Sequence, residues 1–225
     1  MNNKRALTSA RKLTEAGGVI DYGPDLSRLL VRVMRALAQG RPVAEEQISQ
    51  IIADLGIDRN NANHFLSQVA ERDENGNVAG IMGMSLNKTS HRLNLNGTRL
   101  YAWCAMDTLF LPAMLDQTVT IESKSPVSRE IVRLTVSPQK VEAFEPAGAV
   151  LSFVVVEPEE ANMNSVESIW NTFCHHIYFF ASHKEAEQWA DGRKDVEILP
   201  VEQAYELSKM LSSRFLVGSI EQSVV

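Results

Sequence analysis

A nearly unbroken apolar run, Leu100-Tyr101-Ala102-Trp103-Cys104-Ala105-Met106-Asp107-Thr108-Leu109-Phe110-Leu111-Pro112, most constrains what this chain can fold into. Removing that much apolar surface from water is worth roughly 25 cal/mol per Å², so the segment belongs inside a core. Yet it contains one of only two cysteines in the chain and, three residues on, an acid. Read as a helix, positions i and i+3 share a face, which brings the Cys104 sulfur and the Asp107 carboxylate into one small volume. An acid among Trp103, Met106, Leu109 and Phe110 costs several kcal/mol if it is buried ionised without a partner. If it lies in an apolar pocket its pKa rises, and it can hold and deliver a proton near neutral pH. Each residue alone also has a plainer reading. A lone buried cysteine is usually a small hydrophobe, and an Asp at i+3 sits equally well on a solvated face.

The second cysteine, Cys174, stands in Phe173-Cys174-His175-His176-Ile177-Tyr178-Phe179-Phe180, seventy positions further along. One cysteine beside two adjacent histidines lacks the ligand spacing of structural zinc sites. Read as a strand, Cys174, His176, Tyr178 and Phe180 share one face and His175 takes the other, so both histidines cannot join the thiol. A Cys-His hydrolase using His176 is chemically permissible, but no oxyanion-hole glycine motif or nucleophile signature accompanies it.

Two cysteines in 225 residues make no disulfide framework, and the opening Met1-Asn2-Asn3-Lys4-Arg5-Ala6-Leu7-Thr8 lacks the apolar core of a signal peptide. A cytoplasmic location with reduced thiols is expected. No run reaches the roughly 18 to 20 apolar residues of a membrane span, so no membrane association is expected. The net charge of −6 argues against nucleic acid as partner for the whole chain. The charge is uneven, however: residues 1–100 carry 13 Lys and Arg against 10 Asp and Glu, and residues 101–225 carry 9 against 18.

Residues 1–22 read as an arm or a short helix over the body. Within residues 23–97, Leu26, Leu29, Leu30, Val33, Met34 and Leu37 recur at helical spacing behind Gly23-Pro24-Asp25, with Asp25 as N-cap. A second helix fits Ala44 to Leu55 with Gly56 as its stop, and a third fits Arg59 to Ala70 capped by Asp58. Val78 to Leu86 and His91 to Leu95 read as two strands, flanked by the turns Asn75-Gly76 and Asn96-Gly97. Three helices and a hairpin outline a winged-helix-like domain. The third helix offers Arg59, Asn60, Asn61, Asn63 and His64 among acidic neighbours, which favours a scaffold over a DNA reader.

Residues 98–225 read as an α+β domain with an antiparallel or mixed sheet. Strands are expected at Thr118 to Glu122, Ile131 to Ser137, Ala149 to Glu157 and Phe173 to Ala181, with an edge strand at Asp195 to Leu199. Pro112 is expected to kink or end the helix that carries Asp107. Ser182-His183-Lys184-Glu185 has the form of a capping box, and Val201 to Phe215 is an amphipathic helix.

Arg99-Leu100-Tyr101-Ala102-Trp103-Cys104-Ala105-Met106-Asp107-Thr108-Leu109 resembles the cysteine-and-aspartate segment of the bacterial organomercurial (alkylmercury) lyases. Similar segments follow the family's order: Gly40-Arg41-Pro42-Val43, Leu134-Thr135-Val136-Ser137-Pro138, Glu145-Pro146-Ala147-Gly148, and Phe173-Cys174 with His176 and Phe179-Phe180-Ala181-Ser182. The resemblance implies a winged-helix-like domain packed on an α+β catalytic domain, and protonolysis of carbon–mercury bonds without a cofactor. It places Cys104, Cys174 and Asp107 in the catalytic positions, and Cys104, Cys174 and Asp107 around the Hg(II) product. The chemistry agrees, because mercury(II) is very soft and thiolates are the softest protein ligands.

The mechanism so implied starts with Cys104 taking the mercury and Cys174 adding to it. Asp107 then passes a thiol proton to the leaving carbon. Tyr101, Trp103 and Phe173 are candidates for the apolar pocket of the organic group. Release of the metal is expected to need exogenous low-molecular-weight thiols, with mercuric reductase or small thiols as recipients. The chain departs from some members in having His175 where they carry a cysteine, and in lacking a cysteine around Lys124. The rival reading from a different class is a winged-helix, thiol-based metal or redox sensor that binds DNA.

Overall fold

The computed structural model describes residues 4–216, so the first three residues of the expected arm lie outside the described residues. The chain opens with helices α1 (Lys4–Thr14), α2 (Gly23–Leu37), α3 (Glu45–Leu55) and α4 (Arg59–Val69). Their boundaries follow local chemistry. Gly56 closes α3 in the left-handed conformation (φ 64), and the Asp58 side chain accepts from the Asn61 N–H at 2.9 Å to open α4. Asp25 lies in the first turn of α2; the N-cap position itself is Tyr22, which makes no side-chain cap. The arm is helical and packed: Ala6 and Ala10 are buried in the main core, and the Ser9 hydroxyl donates to the Val156 carbonyl at 2.7 Å.

Strands β1 (Ala70–Arg72), β2 (Val78–Ile81), β3 (Met84–Ser85), β4 (His91–Leu95) and β5 (Thr98–Ala102) follow. The expected single strand from Val78 to Leu86 is instead a hairpin. Met82 and Gly83 both take positive φ (36 and 93), and Ile81 pairs with Met84. This is the two-residue turn geometry that matches the twist of antiparallel strands. Asn96 and Gly97 (φ 49 and 90) make the same kind of turn between β4 and β5. Asn-Gly announces it, whereas Met-Gly does not.

Helix α5 (Ala105–Leu115) then runs through the centre, with every residue but Ala113 buried. A helix apolar on all sides is one that neighbours cover all round. Here they are α2, the closing helix α8 (Val201–Phe215) and strands of both sheets. Pro112 does not end α5. The helix runs three residues further, to a left-handed Asp116 (φ 55), because Pro112 removes only one backbone donor near the end.

Strands β6 (Val119–Lys124), β7 (Ile131–Val136) and β8 (Val141–Glu145) complete an antiparallel eight-stranded sheet ordered β1-β2-β3-β5-β4-β6-β7-β8. A second antiparallel sheet of three strands is ordered β10-β9-β11, from β9 (Val150–Val154), β10 (Phe179–Phe180) and β11 (Val196–Pro200). Helices α6 (Val166–Thr172) and α7 (His183–Ala190) complete the mixed α+β fold, α7 capped by Ser182, whose hydroxyl accepts from the Glu185 N–H. The strand expected from Phe173 to Ala181 shrinks to Phe179 and Phe180. Residues Cys174–His176 form a single 3-10 turn at the end of α6. No helix among the described residues is long and apolar enough to cross a membrane.

Candidate active site

Cys104 is not inside a helix, as the i, i+3 argument supposed, but is the N-cap of α5, with extended backbone (φ −142, ψ 177). Asp107 is the third helical residue. The pair forms a capping box in which sulfur replaces the usual hydroxyl oxygen. The Cys104 N–H donates to Asp107 Oδ2 at 2.7 Å, and the Asp107 N–H faces the Cys104 sulfur. A strand-to-helix junction thus fixes the two side chains against each other more rigidly than a shared helix face would.

Cys174 reaches them through backbone pairing. The Ala105 N–H at the start of α5 donates to the Ile177 carbonyl at 3.2 Å, and the Tyr178 N–H donates to the Ser152 hydroxyl of β9 at 2.9 Å. The 3-10 turn carrying Cys174 is thereby docked on the end of α5. A sulfur from each cysteine and a carboxylate oxygen of Asp107 lie within 4.8 Å of one another, all three residues buried. Neither histidine beside Cys174 joins them: His176 Nε2 lies 3.0 Å from the Asn171 carbonyl, and the His175 ring packs near Trp170.

Burial sets the protonation of the cluster. Desolvation pushes the Cys104 thiol well above its ordinary range, and its hydrogen bond to Cys174 and the Asp107 charge push it the same way. For Cys174 the hydrogen bond donated by Cys104 pulls the pKa down, but burial and the Asp107 charge outweigh it, and the thiol also titrates high. Desolvation raises Asp107 to about 7, against the pull of its hydrogen bonds to Cys104. At neutral pH the resting site therefore holds two thiols and a carboxyl poised to gain or lose a proton.

A cavity of about 90 Å³ opens on all three residues. A single water needs roughly 10–15 Å³ of such space, so the cavity has room for a small organic group. Its walls are apolar, Trp103, Met106, Phe110, Ile169, Phe173 and Ile177 among them. Trp103 and Phe173 thus stand where an apolar pocket needs them, and Tyr101, on β5, does not line the cavity. Sequence reasoning missed the contributions of Leu13 from α1 and of Leu207, Leu211 and Phe215 from α8. Nothing local in those segments separates a cavity wall from ordinary core.

It also missed Gly83. The Met82-Gly83 turn is pressed against the acid so closely that a Cβ on Gly83 would stand 2.7 Å from Asp107 Cγ. The Gly83 carbonyl accepts from the Trp103 N–H at 2.9 Å, which holds the turn in place. Gly83→Ala is expected to cost about 1–3 kcal/mol beyond the backbone penalty of positive φ, because Asp107 must shift. Gly97→Ala supplies the control, since a Cβ there meets nothing within 4 Å. The gap between the two variants in urea denaturation measures the contact with Asp107.

A family model described as alkylmercury lyase (MerB) matches residues 84–213. The chain is 37% identical to an alkylmercury lyase of Staphylococcus epidermidis over 185 residues, covering 81% of each chain. It is 36% identical to one of Streptomyces lividans, covering 96% of each, and 31% identical to one of Pseudomonas putida, covering 93% of this chain and 95% of that one. A crystal structure described as the mercury-bound form of MerB2 shares the fold, with a TM-score of 0.74 at 24% identity over 92% of this chain and 99% of that one. By these matches, and with two thiols and an acid converging in an apolar cavity, the chain belongs to the alkylmercury lyase family.

Proposed function

We propose that this chain breaks carbon–mercury bonds of alkyl- and arylmercury compounds by protonolysis, with Cys104 and Cys174 as mercury ligands and Asp107 as proton carrier. The observation that carries this reading is the convergence of both sulfurs and the carboxylate within 4.8 Å. Two thiolates at that spacing suit a soft, low-coordinate ion.

The reaction starts from R–Hg–X and two thiols. Cys104 forms a sulfur–mercury bond and X leaves; a coordinating thiol gives up its proton outright, so the raised thiol pKa is no obstacle once the metal arrives. Cys174 adds to the same mercury, and its proton passes to Asp107, whose pKa of about 7 lets it both take and give one. The second thiolate raises electron density on the metal and weakens the bond to carbon. Asp107 delivers its proton to that carbon as the bond breaks, and R–H departs. One thiol proton has left with X and one with R. The products are a hydrocarbon and Hg(II) held by two protein sulfurs.

No further cofactor enters this scheme. Exogenous small thiols are needed to exchange the metal out of a dithiolate site, and mercuric reductase is a fitting recipient in the cytoplasm. Trp103 and Phe173 form the pocket for R. Residues 23–97 serve as a winged-helix-like scaffold between an arm (1–22) and the catalytic unit (98–225). Helices α2–α4 followed by the β2–β3 hairpin support that outline. A scaffold role is supported by Arg59, the only Lys or Arg of α4, which donates to Ser49 of α3 at 3.2 Å.

The test is incubation with phenylmercury and excess thiol. Stoichiometric benzene is expected, and its absence would sink the proposal. A DNA mobility shift relieved by mercury would instead favour a sensor.

A further inference from the structure

We propose that Glu71 is a positioning residue for this reaction: it holds the Trp103 indole as a wall of the substrate cavity and, through Trp170, sets the helix that leads into the turn carrying Cys174. The inference rests on the lyase reading. Glu71 belongs to β1, far in sequence from either cysteine, and is not part of the cavity lining. Its carboxylate nevertheless ends on the residue next to Cys104. Trp103 Nε1 donates to Glu71 Oε1. Oε2 accepts from the Ser85 hydroxyl at 3.1 Å and from Asn87 Nδ2 at 2.6 Å.

The seat for this carboxylate is built. A Cβ on Gly80 would stand 2.3 Å from Glu71 Oε1, so the side chain lies flat across a glycine on the neighbouring strand. On the other side, the Trp103 ring meets Trp170 of α6 edge to face, centroids 5.9 Å apart, and Trp170 lies 6.3 Å from the His175 ring. The line of contacts therefore runs from Glu71 through two indoles to the turn that carries Cys174. A buried indole N–H needs an acceptor, and a neutral one would satisfy it. A carboxylate taking three donors does more, because charge-assisted hydrogen bonds are shorter and about twice as strong as neutral ones. They fix the angle of the ring as well as its depth.

A large organic group in this cavity touches more of the Trp103 wall than a methyl group does. In Glu71→Ala, kcat/KM for phenylmercury is expected to fall roughly tenfold or more, mainly through KM, with methylmercury affected far less. Glu71→Gln, which keeps an oxygen for the indole but neither the charge nor the second acceptor, is expected to restore part of the loss. Independently of turnover, the Trp103 Nε1–H resonance in 15N-tryptophan-labelled protein, assigned with Trp103→Phe, should move upfield in Glu71→Ala and stay near its place in Glu71→Gln. Equal losses on both substrates, no rescue by Gln, or an unmoved Trp103 resonance in Glu71→Ala would each overturn the proposal. Absence of turnover in the wild type would overturn the lyase reading itself, and the resonance would still decide whether Glu71 holds the indole.

Discussion

Cys104→Ser and Cys174→Ser are each expected to lose carbon–mercury cleavage by at least about a thousandfold, and the double variant to fall no further than either single one. The reason is that the two sulfurs act on one atom: with one thiolate the mercury is held but the carbon–mercury bond is not weakened, and groups that act as a unit show such non-additive losses. Serine is nearly isosteric, and its oxygen is too hard a ligand to replace sulfur on Hg(II). The two variants differ in a second readout. Cys104 caps α5, and a serine hydroxyl is a better N-cap acceptor than a thiol, so Cys104→Ser should keep or slightly raise thermal stability. Cys174 caps no helix, and Cys174→Ser buries a hydroxyl in place of a thiol that pairs with Cys104; a loss of about 1–2 kcal/mol is expected. Melting curves and benzene release on the same preparations separate loss of chemistry from loss of fold. Retained activity in either variant would remove the two-thiolate mechanism.

Much of this architecture was legible because its signals are local. The apolar spacing of Leu29, Leu30, Val33, Met34 and Leu37, the stop at Gly56 and the caps at Asp58 and Ser182 each act within a turn of helix, and each stands where its chemistry put it. The same locality misled the reading at Phe173 to Ala181. Its aromatic and β-branched content suits a strand, but outside Phe179 and Phe180 its long-range backbone partners are the start of α5 and Ser152, neither of which a local pattern encodes. Cys104 and Asp107 were rightly paired for an inexact reason: the contact arises from a cap at a strand-to-helix junction. The meeting with Cys174 depends on the hydrogen bond from Ala105 to Ile177, on the bonds between Ser152 and His176 and Tyr178, and on the packing of two sheets around α5. The cavity joins residues as far apart as Ala10 and Phe215. Such contacts are tertiary, and only the family resemblance pointed to them in advance.

Asp107→Asn is expected to remove turnover by a factor of about 10²–10⁴, the usual worth of a positioned proton carrier, while leaving mercury binding by the cysteines in place. The amide keeps the cap, since its oxygen can accept from the Cys104 N–H as Oδ2 does. What it cannot do is take a thiol proton and hand it to carbon. The same substitution should change stability with a definite sign. Asp107 titrates at about 7 when folded and near the ordinary 3.9 when unfolded, so between those values the native state binds the extra proton. Stability from this group is therefore full below about pH 4, falls as pH rises toward 7, and is lost above it, where the folded protein must hold a buried charge. Across that window the wild type should lose a few kcal/mol relative to Asp107→Asn, whose amide has no proton to release. Urea denaturation of the pair at pH 5 and pH 8 reads the difference directly, and other titrating groups cancel between them. A flat difference would mean that Asp107 is not protonated on folding. Its pKa would then lie too low for it to hold a thiol proton near neutral pH, so a stability measurement without mercury tests the raised pKa on which the proton relay rests.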